Sequence, residues 1–368
     1  MIITQIELYK SPIKLKEPFK ISLGVLTHAN NVIVRIHTDS GLVGSGECSP
    51  FMTIHGESMD TAFIVGQYLA KQLIGTLCLD IEANVASMDK VIYGNACIKS
   101  AFNIALYDLA SQHAKLPLYA FLGGTNDKII QTDYTISIDE PSKMASDAVK
   151  IKKNGFEIIK VKLGGTKEQD VERIRMIREA VGYDIQIRVD ANQAWKTAAA
   201  LDTLKALAPY KIQHCEEPIN RALVEFLPEI KAKSPIPIMA DESCCNHLDA
   251  QRLIQLKACD SFNIKLSKSA GITNALKIIA LAEQVEMPVQ IGGFLESRLG
   301  FTAAAHLALV SNSVCYYDFD TPLMFDEDPV LNGIVYQSRG VVSLKDHIGL
   351  GASFDPAYLD SLKVLLIN

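Results

Sequence analysis

Six charged side chains close six short apolar runs in the second two-thirds of the chain, and their types suggest proton chemistry beside a metal ion. FEIIKVK ends in Lys162, IQIRVD in Asp190, IQHCE in Glu216, IPIMAD in Asp241, SFNIK in Lys265 and VCYYD in Asp318. The first five recur at 24- to 28-residue intervals, the length of one strand-plus-helix unit. A charge ending an apolar strand is costly unless it is paired or bound to an ion. A lone aspartate in such a place commonly caps the following helix. Three carboxylates on three consecutive runs, flanked by lysines, exceed what capping explains, because clustered like charges disfavour one another.

Asp190, Glu216 and Asp241 offer three hard oxygen donors, the set Mg²⁺ prefers, with positions left open for water or substrate. Neither cysteine nor histidine falls at the tips of these runs, which argues against zinc or copper. In Lys160-Val161-Lys162 the two lysines point the same way. Their mutual repulsion near a metal is expected to lower a pKa toward neutrality and so yield a usable base. Lys265 stands four strands further on, hence opposite in a closed eight-stranded sheet. Two bases facing each other across a metal-bound carboxylate suit stepwise proton exchange: one removes the α-proton and the other returns it from the far face. The metal would stabilise the enediolate between those steps. His214 shares a face with Glu216 one layer deeper, and is expected to be a hydrogen-bonded barrel residue rather than a ligand.

The elements that must position these residues are legible in the pattern. From about Thr132 the sequence alternates apolar strands with helical stretches such as KEQDVERIRMIREAVG and TAAALDTLKALAPY. The strands are DYTISI, FEIIKVK, IQIRVD, IQHCE, IPIMAD, SFNIKL, PVQIGG and VCYYD. Eight such units predict an α/β fold, a (β/α)₈ barrel with its helices outside and the strand ends gathered at one rim. A doubly wound open sheet would want a Gly-rich phosphate loop after its first strand, and DYTISID has none. Before the barrel, IITQIELY and NVIVRIHTDSGLVGSGE read as strands, and residues from about Glu57 to His113 carry helical periodicity. The expected division is an α+β capping unit over residues 1–125, the barrel over 126–325, and a C-terminal segment over 326–368 that packs back on the cap. Leu116–Gly124 is read as the linker.

Bulk properties narrow the class further. With 368 residues and 48% hydrophobic composition, the chain can bury one large core and a smaller one. A formal net charge of −6 argues against nucleic acid as a partner. No apolar run approaches the ~18 residues that cross a bilayer, so no membrane partner is expected. The N-terminus lacks the pattern of a signal peptide. The eight cysteines are scattered without a C-x-x-C pair, and are read as buried small hydrophobes in a reducing, cytoplasmic setting. A homo-oligomer is compatible with all of this.

Lys160-Val161-Lys162, Val189-Asp190-Ala191-Asn192, Glu216-Glu217-Pro218, Ala240-Asp241-Glu242-Ser243 and Asn263-Ile264-Lys265 together resemble the motif set of the enolase superfamily, in its muconate-lactonizing branch. Gly44-Ser45-Gly46-Glu47 and Pro117–Gly124 resemble that family's N-terminal domain, so the likeness spans nearly the whole chain. It implies Mg²⁺ on Asp190, Glu216 and Asp241, and acid–base chemistry on Lys162 and Lys265. Asn192 and Asn263 are expected behind the ligands, and Lys160 and Thr135 against the substrate. Two capping loops are implied, around Phe19–Ala29 and Pro50–Glu57.

Within the branch, Ile291-Gly292-Gly293 ends the seventh strand without the histidine base of the mandelate-racemase branch. Asp318-Phe319-Asp320 puts two carboxylates on one face of the rim, suited to a peptide's α-ammonium. This Asp-x-Asp looks like the signature of dipeptide epimerases. N-acylamino-acid racemase, o-succinylbenzoate synthase and muconate cycloisomerase, whose substrates carry no such ammonium, are the alternatives. Ala-Glu epimerases carry an arginine on the first capping loop, where this chain has Gly24. Without it a buried acidic side chain lacks a bidentate partner. Val25, Leu26, Phe294 and Leu295 are therefore expected to line an apolar pocket, with Lys20 as the possible substitute for the arginine. A metal-binding barrel acting only as sensor or scaffold is the reading from a different class, and the filled catalytic positions speak against it.

Overall fold

The computed structural model describes residues 1–368. The chain opens with an antiparallel sheet of β1 (Ile3–Ile21), β2 (Gly24–Thr38) and β3 (Val43–Cys48). Alternation drives it: Ile6, Leu8, Val32, Val34 and Ile36 face a buried core of their own. Against that face lies the helix Met59–Leu73, capped reciprocally by Ser58 and Thr61 and burying Ala62, Val65, Leu69 and Leu73 at helical spacing. The helix Ala96–Ala114 is buried along most of its length. It sits so close to β3 that a Cβ on Gly44 or Gly46 would collide with the carbonyl oxygens of Ala105 and Ala101. That contact accounts for the two glycines of the Gly-Ser-Gly-Glu run.

The stretch expected to be a capping loop at Phe19–Ala29 is instead the tip of a long hairpin. Phe19 pairs with Leu26, Lys20 with Val25 and Ile21 with Gly24, so only Ser22 and Leu23 make the turn. Gly24 carries the tight reversal with a φ of +146°. The second capping segment contains one helical turn, Met52–His55, closed by Gly56 in the left-handed region.

The second sheet has eight parallel strands in sequential order: Tyr134–Ile136, Ile158–Lys162, Gln186–Asp190, Ile212–Glu216, Ile238–Ala240, Ser261–Lys265, Val289–Gly292 and Val314–Tyr317. Helices intervene, including Lys167–Val181 and Thr197–Leu207, as the (β/α)₈ reading expects. At the seam, Asp133 N donates to Tyr317 O at 3.5 Å and Phe319 N to Thr132 Oγ1 at 2.7 Å. The first strand is shorter than the run DYTISI. Ser137 and Ile138 leave the ladder because the hairpin takes their hydrogen bonds: Ile138 N donates to Lys20 O at 3.0 Å, and Lys20 N to Ser137 Oγ at 3.3 Å. Asp241 and Asp318 lie one residue beyond their strands rather than at their ends.

The cap and the barrel meet through buried hydrogen bonds. Glu47 accepts from Asn31 Nδ2 at 2.7 Å, Ser297 Oγ at 2.6 Å and Gly300 N at 3.1 Å. It thereby ties β3 to the start of the helix Arg298–Ala308. Leu116–Gly124 is no free linker: it contains a helical turn, Leu118–Phe121, that buries Leu118 and Tyr119, and Tyr119 N donates to His306 Nδ1 at 3.0 Å. The strand Val364–Ile367 pairs with β1, whereas Val341–Ser343 pairs with Ile130–Gln131 beside the barrel. All eight cysteines are free, and Cys315 is the one left exposed, because its place on the last barrel strand turns it outward. No helix is long and apolar enough to cross a membrane.

Candidate active site

At the C-terminal rim of the barrel, carboxylate oxygens of Asp190, Glu216 and Asp241 lie within 4.8 Å of one another, all buried. Their strands are neighbours, so sheet geometry alone gathers them. Asn192 N donates to Asp190 Oδ1 at 2.8 Å, and Asn263 Nδ2 to Glu216 Oε1 at 2.8 Å. Through these bonds the Asn192 backbone and the Asn263 side chain each hold one carboxylate of the triad, and Asn192 also lines the chamber above it. An all-oxygen set with no soft donor fits Mg²⁺.

Lys162 and Lys265 reach this cluster from opposite sides. Lys162 Nζ is 2.6 Å from Asp190 Oδ2, and Lys265 Nζ is 2.7 Å from Asp241 Oδ2. Lys160 lies deeper, 2.8 Å from both Glu216 Oε2 and Asp318 Oδ2 and 3.2 Å from Asp190 Oδ2. The repulsion expected between Lys160 and Lys162 is not what governs here, because they share the Asp190 carboxylate. Burial pulls the Lys160 ammonium down, but Asp318, Glu216 and Asp190 outweigh it and hold its pKa well above the usual lysine value. Lys265 is likewise raised, burial being outweighed by Asp241 and Glu216.

On the eighth strand's end, Asp318 and Asp320 are both buried, and with Asp133 they form a second carboxylate cluster. Burial, then the Asp318 charge, pushes Asp320 up to about 7. Asp318 is held low, since Lys160, Lys265 and Lys162 overcome its burial. Thr135 N donates to Asp320 Oδ2 at 2.6 Å, which aims that carboxylate at the rim.

A chamber lies over these groups, lined by Phe19, Ile21, Phe51, Ile54, Thr135, Lys162, Asn192, Lys265, Gly293, Phe294, Leu295, Asp318, Asp320 and Thr321. Phe294 and Leu295 are there as expected, but Gly24, Val25 and Leu26 are not among its walls. Val25 pairs with Lys20 and is 60% exposed. Gly24 is exposed, and a Cβ built on it would meet nothing within 4 Å. Leu26 packs against a small cluster of Ile13, Leu15, Ala29, Phe325 and the wall residue Leu295. In their place the alternation of β1 turns Phe19 and Ile21 inward. Lys20, on the other face, is 3.3 Å from Asp139 Oδ2. The hairpin pairing decides this, and it is invisible when the segment is read as a loop.

Further buried polar side chains surround the site. Lys268 Nζ donates to Asp241 Oδ1 at 2.6 Å and to Asn263 O at 2.7 Å. Its position three residues after Lys265 in NIKLSKSAG was the available clue. Arg188 Nη1 lies 2.8 Å from Asp133 Oδ2, an ion pair inside the barrel. His214 is buried, but neither ring nitrogen has a protein partner, contrary to the expected hydrogen bond. Its ring rests 5.2 Å from that of Tyr316, and burial, then Arg188, holds its pKa well below the usual value. His55 is also kept uncharged, pushed down to about 3 by burial and by Lys265.

This fold and this rim define a family. Residues 3–123 match the mandelate racemase / muconate lactonizing enzyme N-terminal domain, and residues 143–358 the enolase C-terminal domain-like family. The chain belongs to the enolase superfamily, in its muconate-lactonizing branch. It is 74% identical, over the full length of both chains, to the D-Ala-D/L-Ala epimerase of Cytophaga hutchinsonii. The hydrophobic dipeptide epimerase of Enterococcus faecalis is 40% identical over 96% of this chain and 100% of its own. A crystal structure of the Cytophaga hutchinsonii dipeptide epimerase, complexed with Mg and D-Ala-L-Val, superposes with a TM-score of 0.99 at 74% identity over all of both chains.

Proposed function

We propose that this chain is a magnesium-dependent dipeptide epimerase, an isomerase that inverts the α-carbon of the C-terminal residue by moving a proton between two lysines. The observation that carries the reading is the opposed pair Lys162 and Lys265, each hydrogen-bonded to a different carboxylate of one buried triad. Asp190, Glu216 and Asp241 hold the ion. When bound, Mg²⁺ supplies electrostatic stabilisation of the charge that develops on the substrate's terminal carboxylate. Lys162 removes or returns the α-proton on one face and Lys265 does so on the other. Lys160 keeps a positive charge between the triad and the strand-eight acids. Phe19, Ile21 and Phe51 close the mouth and exclude water.

Asp318 and Asp320 receive the substrate's α-ammonium, with Thr135 holding Asp320 in place. An ammonium there pairs with a carboxylate that burial, then the Asp318 charge, pushes up to about 7. Losing one of two charge-assisted contacts to a desolvated ammonium costs roughly 2–4 kcal/mol. Asp320→Asn, which retains an acceptor for Thr135 N, should therefore lower kcat/KM for dipeptides by about one and a half to three powers of ten. The same change should leave any residual turnover of N-acyl amino acids much less affected. If N-acyl substrates were processed as well as free dipeptides, N-acylamino-acid racemase would replace this reading.

For the C-terminal side chain the chamber offers Phe19, Ile21, Phe51, Ile54, Phe294 and Leu295. Its cations are the lysines already engaged with carboxylates, and Lys20 is turned toward Asp139. A substrate carboxylate side chain would thus be buried without a partner. The relative named a hydrophobic dipeptide epimerase and the relative crystallised with D-Ala-L-Val support the same choice. Deuterium incorporation from D₂O across a dipeptide library should rank Ala-Ala, Ala-Val and Ala-Leu well above Ala-Glu. A strong preference for Ala-Glu would overturn the apolar assignment. Eight free cysteines and the net charge of −6 support a cytoplasmic enzyme without nucleic-acid or membrane partners. Self-association is compatible with this reading. The division into a cap (1–125), a barrel (126–325) and a returning segment (326–368) belongs to it as well.

A further inference from the structure

The two lysines are not held alike. Lys162 Nζ has Asp190 Oδ2 at 2.6 Å, and no aromatic ring lies over it. Lys265 Nζ has Asp241 Oδ2 at 2.7 Å and also sits 4.5 Å from the centroid of the Phe294 ring. That ring is itself braced. The edge of His55 meets it at 4.6 Å and 85°, with Phe51 at 6.0 Å. Its backbone is fixed by Glu296, which accepts from Phe294 N at 2.6 Å and from Ser267 Oγ at 2.5 Å. Ser267 lies two residues beyond Lys265, and Lys265 pairs in register with Gly292. The ring and the ammonium are therefore set against each other by the same short stretch of two adjacent strands.

We propose that Phe294 is a positioning residue for Lys265, holding its ammonium by the ring face so that one of the two proton-transfer faces depends on an aromatic side chain and the other does not. The inference rests on the epimerase reading and deepens it. A ring face attracts a cation through its quadrupole without consuming an N–H. The hydrogens on Nζ thus stay available to Asp241 and to the substrate's α-carbon. A hydrogen-bonding neighbour in the same place would compete for them. An aliphatic residue would fill the same wall of the chamber but would leave Nζ with one hydrogen bond, to Asp241, and Glu216 at 4.0 Å.

Overall epimerisation is a poor readout, because its forward and reverse rates are tied by the equilibrium. Exchange with retention is better: holoenzyme with Mg²⁺ in D₂O, given each epimer of Ala-Val separately, with early deuterium incorporation into the unreacted epimer followed by NMR. Lys265→Ala identifies the epimer whose proton faces Lys265, as the one whose exchange is lost. Phe294→Leu and Phe294→Met should then shift the ratio of the two exchange rates by about tenfold against the Lys265 face. Phe294→Tyr should bring that ratio back to within about threefold of wild type. Thermal melts select the variants that remain folded, and Tyr against wild type still decides the matter if both aliphatic variants unfold, because a ring-bearing variant with a tenfold-altered ratio contradicts the proposal. An equal fall on both faces would reduce Phe294 to a wall of the pocket and overturn the inference while leaving the epimerase intact. Absence of both exchange and inversion with the wild-type enzyme would overturn the epimerase reading, and this inference with it.

Discussion

Replacing either Lys162 or Lys265 with alanine should lower epimerisation by about two to four powers of ten, the range typical of a lost general acid or base. Inversion needs both lysines in every turnover, since one takes the proton and the other supplies its replacement. Each variant should nonetheless keep washing deuterium into one epimer, the one whose α-proton faces the surviving lysine. The losses should be complementary between the two variants. The fold is expected to survive, because neither substitution leaves a triad carboxylate without a cation. In Lys162→Ala, Asp190 still has Lys160 at 3.2 Å. In Lys265→Ala, Asp241 still has Lys268 at 2.6 Å. Buried carboxylates stripped of every partner would cost several kcal/mol each, so this arrangement separates catalysis from stability. Polarimetry on Ala-Val measures inversion, and NMR in D₂O measures exchange. Wild-type turnover by either variant would remove that lysine from the mechanism, and loss of exchange in both epimers from a single variant would contradict the division of labour.

What could be read from the residues follows from how locally each was determined. The barrel strands and their terminal Lys162, Asp190, Glu216 and Lys265 were legible because apolar runs with charged ends recur at one βα-unit spacing, and parallel-strand geometry does the rest. Asp241 and Asp318 were found for the same reason, though they stand just past their strands. The walls of the chamber were harder. Phe19 and Ile21 face inward only because β1 continues to Ile21 and pairs with β2, a register fixed by tertiary contacts such as Ile138 N to Lys20 O. Read as a loop, the segment has no register, so Val25 beside Gly24 is as plausible a wall residue as Ile21; only the pairing of β1 with β2 separates the two faces. The raised pKa of Lys160 is not legible locally, because its lysine neighbour stands two residues on in sequence, whereas Glu216 and Asp318 reach it from the fourth and eighth strands. Lys268 and Asp133 escaped notice since a single charge beside a strand carries no periodic signal.

Removal of the divalent ion should stop turnover altogether and lower the melting temperature, with Mg²⁺ restoring both. The carboxylates of Asp190, Glu216 and Asp241 converge within 4.8 Å, yet they do not face one another unscreened. Lys162 and Lys265 bond to Asp190 and Asp241, Lys160 to Glu216, and Lys268 to Asp241. The protein without its ion should therefore remain folded, and the stabilisation gained from Mg²⁺ should follow mass action rather than relief of repulsion. At a free concentration one hundred times Kd that gain is about 2.7 kcal/mol, and the melting temperature should rise by roughly a few degrees for a chain of this size. Asp241→Asn is the discriminating variant. Asp241→Ala would strand Lys265 and Lys268 in a buried site, whereas asparagine keeps an oxygen for Lys268 and removes the charge that the ion needs. Asp241→Asn should melt somewhat below the ion-free wild type, because Lys265 then keeps only Glu216 at 4.0 Å, show almost no upward shift with Mg²⁺, and lose at least about three powers of ten in kcat/KM through weaker metal binding and lost transition-state stabilisation. Activity that survives exhaustive chelation would remove the ion from the mechanism, whereas a full Mg²⁺-dependent rise in melting temperature in Asp241→Asn would show that the ion sits elsewhere. The second carboxylate cluster of Asp133, Asp318 and Asp320 would then be the place to look, and Asp320→Asn rather than Asp241→Asn would abolish the thermal shift.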